Sequence, residues 1–247
     1  MILRRIAQQL REQNWAAIAI EFVLLIVGVF LGIQVANWNE DRQQVARQAQ
    51  YMERLRVDFE GIRDRIREHF AIYRDAEDGG DYLLELADAD SDVTRDQPVD
   101  EERLSRAYNA LTSLRIPPPL PATYVEMRSE GQLSYIANPA LRDSLAEYDR
   151  LLGVLQEVSR VTADNLIQQS PTVRRYFNSR TVRDPTALSS IRIEVLGYDL
   201  EGMRADRDFT VAIDLLQRYA INSSGQRELQ LALVEDILDL IDAETAR

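Results

Sequence analysis

The chain has 247 residues, 45% of them hydrophobic and 28% charged, and its formal net charge is −12. It contains no cysteine, one histidine (His69) and 29 basic residues that are all arginine, which excludes disulfides, iron–sulfur clusters, multi-histidine metal sites and lysine Schiff-base chemistry. The acidic balance argues against a nucleic-acid partner, and we expect no metal site and no cofactor.

The first predicted element is a single-pass transmembrane helix over residues 15–36, which follows a stub of residues 1–14. This segment of 22 residues carries one charge and as a helix spans about 33 Å, close to the ~30 Å of a hydrocarbon core. Trp15 and Trp38 bracket it as interface anchors. Two alternatives stay open, a cleaved signal peptide and a buried core helix, but the apolar run does not end in a small-residue cleavage pattern.

Charge asymmetry predicts how this helix is oriented. Residues 1–36 hold three arginines and two glutamates, a net charge of +1, and the remainder of the chain sums to −13. Because arginines follow the segment as well as precede it, the positive-inside rule does not decide alone. The arginines that follow are interleaved with acidic residues, so we expect a cytoplasmic N-terminus and an acidic domain of residues 37–247 on the outer side.

One face of the predicted membrane helix carries its polar and smallest residues. Glu21, Gly28, Gly32 and Val35 fall within about 60° of one another at 100° per residue. The G-x-x-x-G spacing lets two membrane helices approach closely, and an ionisable group in a membrane usually faces protein or a cavity. We therefore predict a helix-packing face. The alternatives are a Glu21 that reaches the headgroups and a proton or ion path.

Beyond Trp38 the sequence predicts that the same helix continues to about Asp78 and is ended by Gly79-Gly80. Apolar residues recur at heptad spacing along it, at 45, 52, 59, 66 and 73 and again at 55, 62 and 76, while Gln48 and His69 occupy the other positions of this seam. We expect the seam to pack against later helices of the chain, with a partner chain as the alternative. A histidine there is a core residue rather than a catalytic base.

The next segments predict shorter helices. A helix over residues 81–89 and a polar loop over 90–98 precede a helix from a cap at Asp100 to about Leu114. The prolines at 117–121 predict an extended corner. A helix begins at Thr123 and is ended by Gly131.

The last third of the chain is also predicted to be mainly helical. Asn138-Pro139 begins a helix that reaches about Gln169. A turn at Asp184-Pro185 and a brief strand over Ile191–Val195 precede a final helix from about Asp206, which residues 222–225 kink or divide. The predicted fold is therefore mainly α, an antiparallel helical bundle that follows one membrane helix.

A possible outer ligand groove involves the helix that begins at Thr123. Tyr124, Arg128 and Tyr135 could line it together with the neighbouring glutamates 126 and 130. The competing interpretation is a solvated helix face. Nothing there resembles a nucleophile paired with a base.

Two segments carry a resemblance to a known family. Residues 21–40 read EFVLLIVGVFLGIQVANWNE, and residues 123–138 read TYVEMRSEGQLSYIAN. Together they resemble a family of uncharacterised bacterial single-pass membrane proteins, a domain of unknown function with an early Glu in the membrane helix, a Gln-x-x-Asn-Trp-Asn-Glu ending and a helical domain after it. The resemblance implies the bacterial inner membrane with the domain in the periplasm. It implies no activity and no catalytic residues.

These patterns predict an interaction protein rather than an enzyme. The leading hypothesis is a scaffolding or accessory subunit of a membrane complex that contacts lipid and either a membrane-protein partner or a second copy. The alternative is an extracytoplasmic ligand-binding sensor that acts through a partner.

Overall fold

The computed structural model describes residues 15–88, 99–183 and 191–245, and the chain is mainly helical there. The predictions for residues 1–14, for the loop at 90–98 and for the turn at 184–185 lie outside the described residues. The elements, in chain order, are α1 (Trp15–Ala87), α2 (Glu101–Leu111), α3 (Ala122–Ser129), a 3₁₀ helix (Gln132–Tyr135), α4 (Pro139–Arg174), β1 (Phe177–Arg183), β2 (Ile191–Tyr198), α5 (Leu200–Ala205) and α6 (Arg207–Thr245).

The chain divides into two compact units, Met1–Tyr51 and Met52–Arg247. In the first unit the described side chains from Ile20 to Gln50 are exposed, apart from the half-buried Gln48. Burial of the predicted seam begins at Met52, so the division falls fifteen residues after the end of the predicted membrane segment at Ala36.

The heptad seam of α1 is buried in the second unit from Met52 onwards. Its apolar residues there, as well as His69, are at most 6% exposed. The ring of Phe59 packs edge-on against Tyr148 of α4, with 5.4 Å between ring centroids. The expectation that the seam packs within the chain is therefore confirmed for this part of it. Val45, in the first unit, is 65% exposed.

The predicted end of the long helix at Gly79-Gly80 is wrong, because α1 runs on to Ala87 and absorbs the predicted helix over 81–89. The two glycines serve close packing instead. A Cβ atom on Gly79 would lie 2.7 Å from the Cα of Ala107 in α2, and one on Gly80 would lie 2.7 Å from the side chain of Gln217 in α6. Glycine is required at Gly79, where the backbone of α2 approaches the helix so closely, whereas at Gly80 the neighbour is a side chain.

The short helix α3 is fixed to α1 at its N-terminus. The carboxylate of Asp58 accepts a hydrogen bond of 2.9 Å from the backbone N–H of Thr123, and Arg54 forms a two-pronged ion pair with Glu126. Helix α3 ends as predicted: Gly131 follows it with a φ of 70°, a left-handed conformation that favours glycine.

The two long helices α4 and α6 pack against each other in antiparallel directions. Near one end, Glu244 accepts hydrogen bonds from the backbone N–H groups of Ala137 and Asn138, and further along the amide of Gln230 donates to the hydroxyl of Tyr148. The predicted start of α4 is confirmed, because the side chain of Asn138 caps it.

Both helices are longer than the sequence indicated. Helix α4 includes Pro171 and ends one residue after Val173, which is fully buried, so core packing outweighs the backbone hydrogen bond that proline cannot donate. Helix α6 is unbroken through residues 222–225 because Ala220 and Arg227, on either side of that polar stretch, are both buried.

A two-stranded antiparallel hairpin joins α4 to α5, and only part of its second strand was predicted. In its register Thr181 lies opposite Ile193. The side-chain amide of Asn109 in α2 donates to the carbonyl of Ile193 at 2.7 Å and accepts from its N–H at 3.0 Å. One asparagine thus replaces a neighbouring strand at this edge of the hairpin.

Candidate functional site

The first candidate site is the apolar surface of α1 within the first unit. From Ile20 to Val35 the large apolar side chains are 45–64% exposed, and none of the apolar stretch is buried. A helix that serves as a core helix is mostly buried, so this observation speaks against the core-helix alternative. Among the described residues, α1 is the one helix that is both long enough and apolar enough to cross a membrane.

All four residues of the predicted helix-packing face lie on this exposed stretch. A Cβ atom added to Gly28 or Gly32 would meet nothing within 4 Å, and Val35 is 63% exposed. Glu21 is exposed too. The backbone at the two glycines is therefore open to a neighbour, as the packing hypothesis requires.

Of the two predicted interface anchors, the structure describes the side chain of Trp38. Trp38 is 61% exposed, and the guanidinium of Arg42 lies 5.2 Å from the centroid of its ring. An aromatic ring with a cation above it is suited to the headgroup region, where one side is apolar and the other wet. Trp15 is the first residue of α1, but its side chain lies outside the described part of the chain.

The residues of the predicted outer groove are only partly brought together. Tyr124 is 4% exposed, and the guanidinium of Arg128 lies 5.6 Å from its ring centroid and pairs with Asp149 of α4. Burial, assisted by the charge of Asp149, raises the pKa of the Tyr124 hydroxyl. These contacts make Tyr124 and Arg128 part of the packing between α3 and α4. Tyr135 is half-buried in the 3₁₀ helix.

A groove of about 310 Å³ lies where α1 meets the proline-rich connection. Val57, Ile62 and the segment 119–122 give it apolar walls, and Arg65 and Asp58 add a guanidinium and a carboxylate. Its size and mixed lining are typical of sites for small molecules. No sequence pattern predicts this groove, because it forms only when the proline-rich connection packs on α1.

The second unit also contains a basic cluster, formed by the buried His69 and Arg227 and the half-buried Arg115. Arg227 is 1% exposed and His69 is 3% exposed. The guanidinium of Arg227 donates to the carbonyl of Arg115 at 3.2 Å and to the side-chain oxygen of Gln230 at 3.3 Å. Tyr73 of α1 donates to the same carbonyl of Arg115 at 3.2 Å.

The protonation states in this cluster follow from burial and from its excess of positive charge. Burial, together with Arg227, Arg115 and Arg65, lowers the pKa of His69 to about 4, so the imidazole is neutral at pH 7. Burial raises the pKa of the neighbouring Tyr148 to about 12, so this hydroxyl keeps its proton. Neither group is poised to exchange a proton near neutral pH, which a general acid or base requires.

Sequence reasoning placed His69 in the core but missed its arginine neighbours. A signal was present, because Arg227 and Gln230 interrupt the apolar stripe of α6 at helical spacing from Ala220 and Val234. Within the described residues, no group of three or more acidic or histidine side chains could hold a metal ion.

Comparisons with known proteins add no assignment to these sites. No protein-family model, no curated protein and no solved structure matches the chain.

Proposed function

We propose that the chain is a membrane-anchored interaction protein, a scaffolding or accessory subunit of a membrane complex. The observation that carries this proposal is the bare apolar surface of α1 from Ile20 to Val35, on a helix that continues to Ala87 within a folded unit. Apolar surface of this length is stable in lipid and unfavourable in water. Lipid of a bacterial inner membrane is then one partner. The N-terminus would lie in the cytoplasm and the acidic domain on the outer side, as the charge asymmetry predicts.

The face of Glu21, Gly28, Gly32 and Val35 is the proposed contact with a second membrane helix. Lipid tails are as apolar as leucine, so helices in a membrane associate through close packing and polar contacts rather than through the hydrophobic effect. Open backbone at Gly28 and Gly32 permits the packing. A partner helix there would also shield the carboxylate of Glu21 from lipid.

A role in interaction fits the chemistry of the second unit better than catalysis does. The single histidine is buried, neutral at pH 7 and surrounded by arginines. The antiparallel packing of α4 and α6, with α1 against them, supports a helical bundle as the outer domain. Such a domain presents rigid surfaces to a partner.

Cross-linking from position 35 tests the helix contact, and the absence of cysteine in the chain gives a clean background. In native membranes we expect the Val35→Cys protein to cross-link, to itself for a second copy or to another protein for a hetero-partner. Adding Gly28→Leu or Gly32→Leu should weaken the cross-link by an amount that corresponds to about 0.6–2 kcal/mol, because the added side chain separates the helices.

Three controls decide between a packing face and a general effect of bulk. Val29→Leu adds a methylene group off the face and should be silent, whereas Glu21→Gln, which keeps shape but not charge, should be intermediate. Cysteine at Phe30, on the opposite side of the helix, should cross-link poorly. If Gly28→Leu, Gly32→Leu and Glu21→Gln cross-link as strongly as the Val35→Cys parent, and cysteine at Phe30 does so too, the segment is only an anchor and the helix-contact proposal is wrong.

The groove beside the proline-rich connection favours a second candidate function, an extracytoplasmic ligand-binding sensor. Its volume of about 310 Å³ and its apolar walls, with the carboxylate of Asp58 and the guanidinium of Arg65, suit a small, largely apolar molecule with polar groups. The sensor hypothesis requires this groove to bind a ligand, whereas the scaffolding hypothesis does not.

A further inference from the structure

The groove beside the proline-rich connection carries two opposite charges on its α1 side. Asp58, Gly61, Ile62 and Arg65 line it, so they share one face of the helix at positions i, i+3, i+4 and i+7. Seven residues of an α-helix rise about 10.5 Å along the axis. The groove therefore offers a carboxylate and a guanidinium that start from positions about two helical turns apart.

Both charged groups have capacity for a ligand. Arg65 is exposed and forms no ion pair or hydrogen bond with another residue in the described part of the chain. The Oδ2 atom of Asp58 accepts from the backbone N–H of Thr123 at 2.9 Å, whereas its Oδ1 atom accepts from no other described group. The bond to Thr123 holds this carboxylate in place, so a ligand that binds it loses less conformational entropy.

The remainder of the groove is apolar and open. Val57 is 57% exposed, although it is a large apolar side chain within the folded second unit. A Cβ atom added to Gly61 would meet nothing within 4 Å, so the chain itself does not fill the space above this glycine. Pairing of exposed charges alone contributes little to binding, but a ligand here would also bury apolar surface.

The proline-rich connection adds unpaired main-chain groups to the lining. Leu120 lies between Pro119 and Pro121, in a stretch that is neither helix nor strand. Within the residues that the structure describes, no hydrogen bond is made to the N–H or the C=O of Leu120. Extended peptides bind to unpaired main-chain groups of this kind, with their side chains in neighbouring apolar pockets.

The spacing of the two charges selects among ligands that fit the volume of about 310 Å³. An extended peptide of three residues spans about 10 Å, and near neutral pH its amino end is cationic and its carboxyl end anionic. A single amino acid carries the same charges but is too short to reach from Asp58 to Arg65. An apolar monoanion would leave the carboxylate of Asp58 without a partner.

We propose that this groove binds a short peptide of about three residues with apolar side chains. The amino group of the peptide pairs with Asp58, its carboxylate pairs with Arg65, and its side chains cover Val57 and the space above Gly61. Bound in this way, the peptide bridges α1 and the connection that leads into α3. This proposal rests on the second candidate function, the ligand-binding sensor, and names the class of its ligand.

Isothermal titration calorimetry of the full chain in detergent tests the proposal, with the tripeptide Ala-Val-Ala as the probe. We expect saturable binding with a dissociation constant in the micromolar to millimolar range. Acetylation of the amino end and amidation of the carboxyl end each remove one charge from the peptide and should each weaken binding about tenfold. Octanoate, an apolar monoanion of similar length, should also bind about tenfold more weakly than the tripeptide.

Two variants with matched controls locate the binding. Arg65→Gln should weaken binding of the free tripeptide about tenfold and should remove its advantage over the amidated one. Gly61→Leu fills the open space of the groove and should abolish binding. Arg74→Gln removes an exposed arginine of α1 outside the groove, and Gly153→Leu adds the same side chain at an equally open glycine of α4, so both should bind as the unaltered chain does.

Absence of tripeptide binding at millimolar concentration would overturn the proposal, and so would equal affinity for the free and the blocked peptides. Unchanged binding by Gly61→Leu would overturn it too, because the peptide would then bind elsewhere. If octanoate binds, Gly61→Leu prevents this and the tripeptide does not bind, the peptide proposal is wrong but the groove remains the ligand site of a sensor. If neither compound binds, the result counts against the sensor function as well.

Discussion

Replacement of Gly79 by alanine should destabilise the second unit, although alanine is the better helix former. The new Cβ would lie 2.7 Å from the Cα and 2.8 Å from the Cβ of Ala107, a contact that neither helix can accept without moving. Overpacking of this kind costs about 1–3 kcal/mol, and the gain in helix propensity returns at most about 1 kcal/mol. Chemical denaturation of the detergent-solubilised chain measures the loss in the free energy of unfolding.

Gly153→Ala is the matched control. Gly153 lies in the interior of α4, is exposed, and has nothing within 4 Å of its would-be Cβ atom. There the same substitution should stabilise by up to about 1 kcal/mol, because only helix propensity changes. Opposite signs at the two glycines are the expected result. Stabilisation at both would show that α1 and α2 are not in close contact at Gly79.

Acidification should destabilise the protein through His69. Because the pKa of this histidine falls from an ordinary 6.5 to about 4 in the folded chain, the unfolded chain binds the proton more readily between these values. The free energy of unfolding therefore falls as the pH is lowered from about 6.5 to 4, by about 3 kcal/mol at 1.36 kcal/mol per pKa unit. Above pH 7 this contribution is constant.

His69→Gln isolates this histidine from the carboxylates that titrate in the same range. The variant should lose a constant amount of stability from altered packing, but the difference between it and the unaltered protein should change by about 3 kcal/mol between pH 7 and pH 4. A difference that does not vary with pH would place His69 in an ordinary, solvated environment. Retained biological function of the folded variant would agree with a non-catalytic role.

Local signals predicted the helices well but failed where tertiary packing decides. Caps at Asp100 and Asn138 accept the hydrogen bonds expected of them, and Gly131 takes the left-handed conformation expected after a helix. The pair Gly79-Gly80 was misjudged because glycine both breaks helices and permits close helix packing. A sequence alone does not show which neighbour is present.

The hairpin was missed for a related reason. Strand β1, with the sequence FNSRTVR, lacks a regular apolar alternation, and much of what stabilises it is its pairing with β2 and the hydrogen bonds that Asn109 makes to β2. Pairing partners distant in sequence contribute no local pattern.

The candidate sites also differ in whether a local sequence pattern predicts them. Periodicity alone placed Glu21, Gly28 and Gly32 on one face of an apolar helix, and the exposure of that stretch agrees with a surface that awaits a partner. The basic cluster depends on a side chain from α1, one from the segment after α2 and one from α6. Such a convergence is visible only after folding.

We expect residues 15–36 to anchor the chain in a membrane. Extraction of cell membranes with alkaline carbonate tests this anchoring, because the treatment releases peripheral proteins and leaves transmembrane ones in the pellet. The full chain should stay in the pellet. Ile26→Arg combined with Val29→Arg should release the chain, since each arginine at the helix centre costs about 2.5–3.5 kcal/mol of insertion. Val45→Arg, beyond the apolar stretch, should remain in the pellet. Release of the unaltered chain by carbonate would show that this segment does not anchor it.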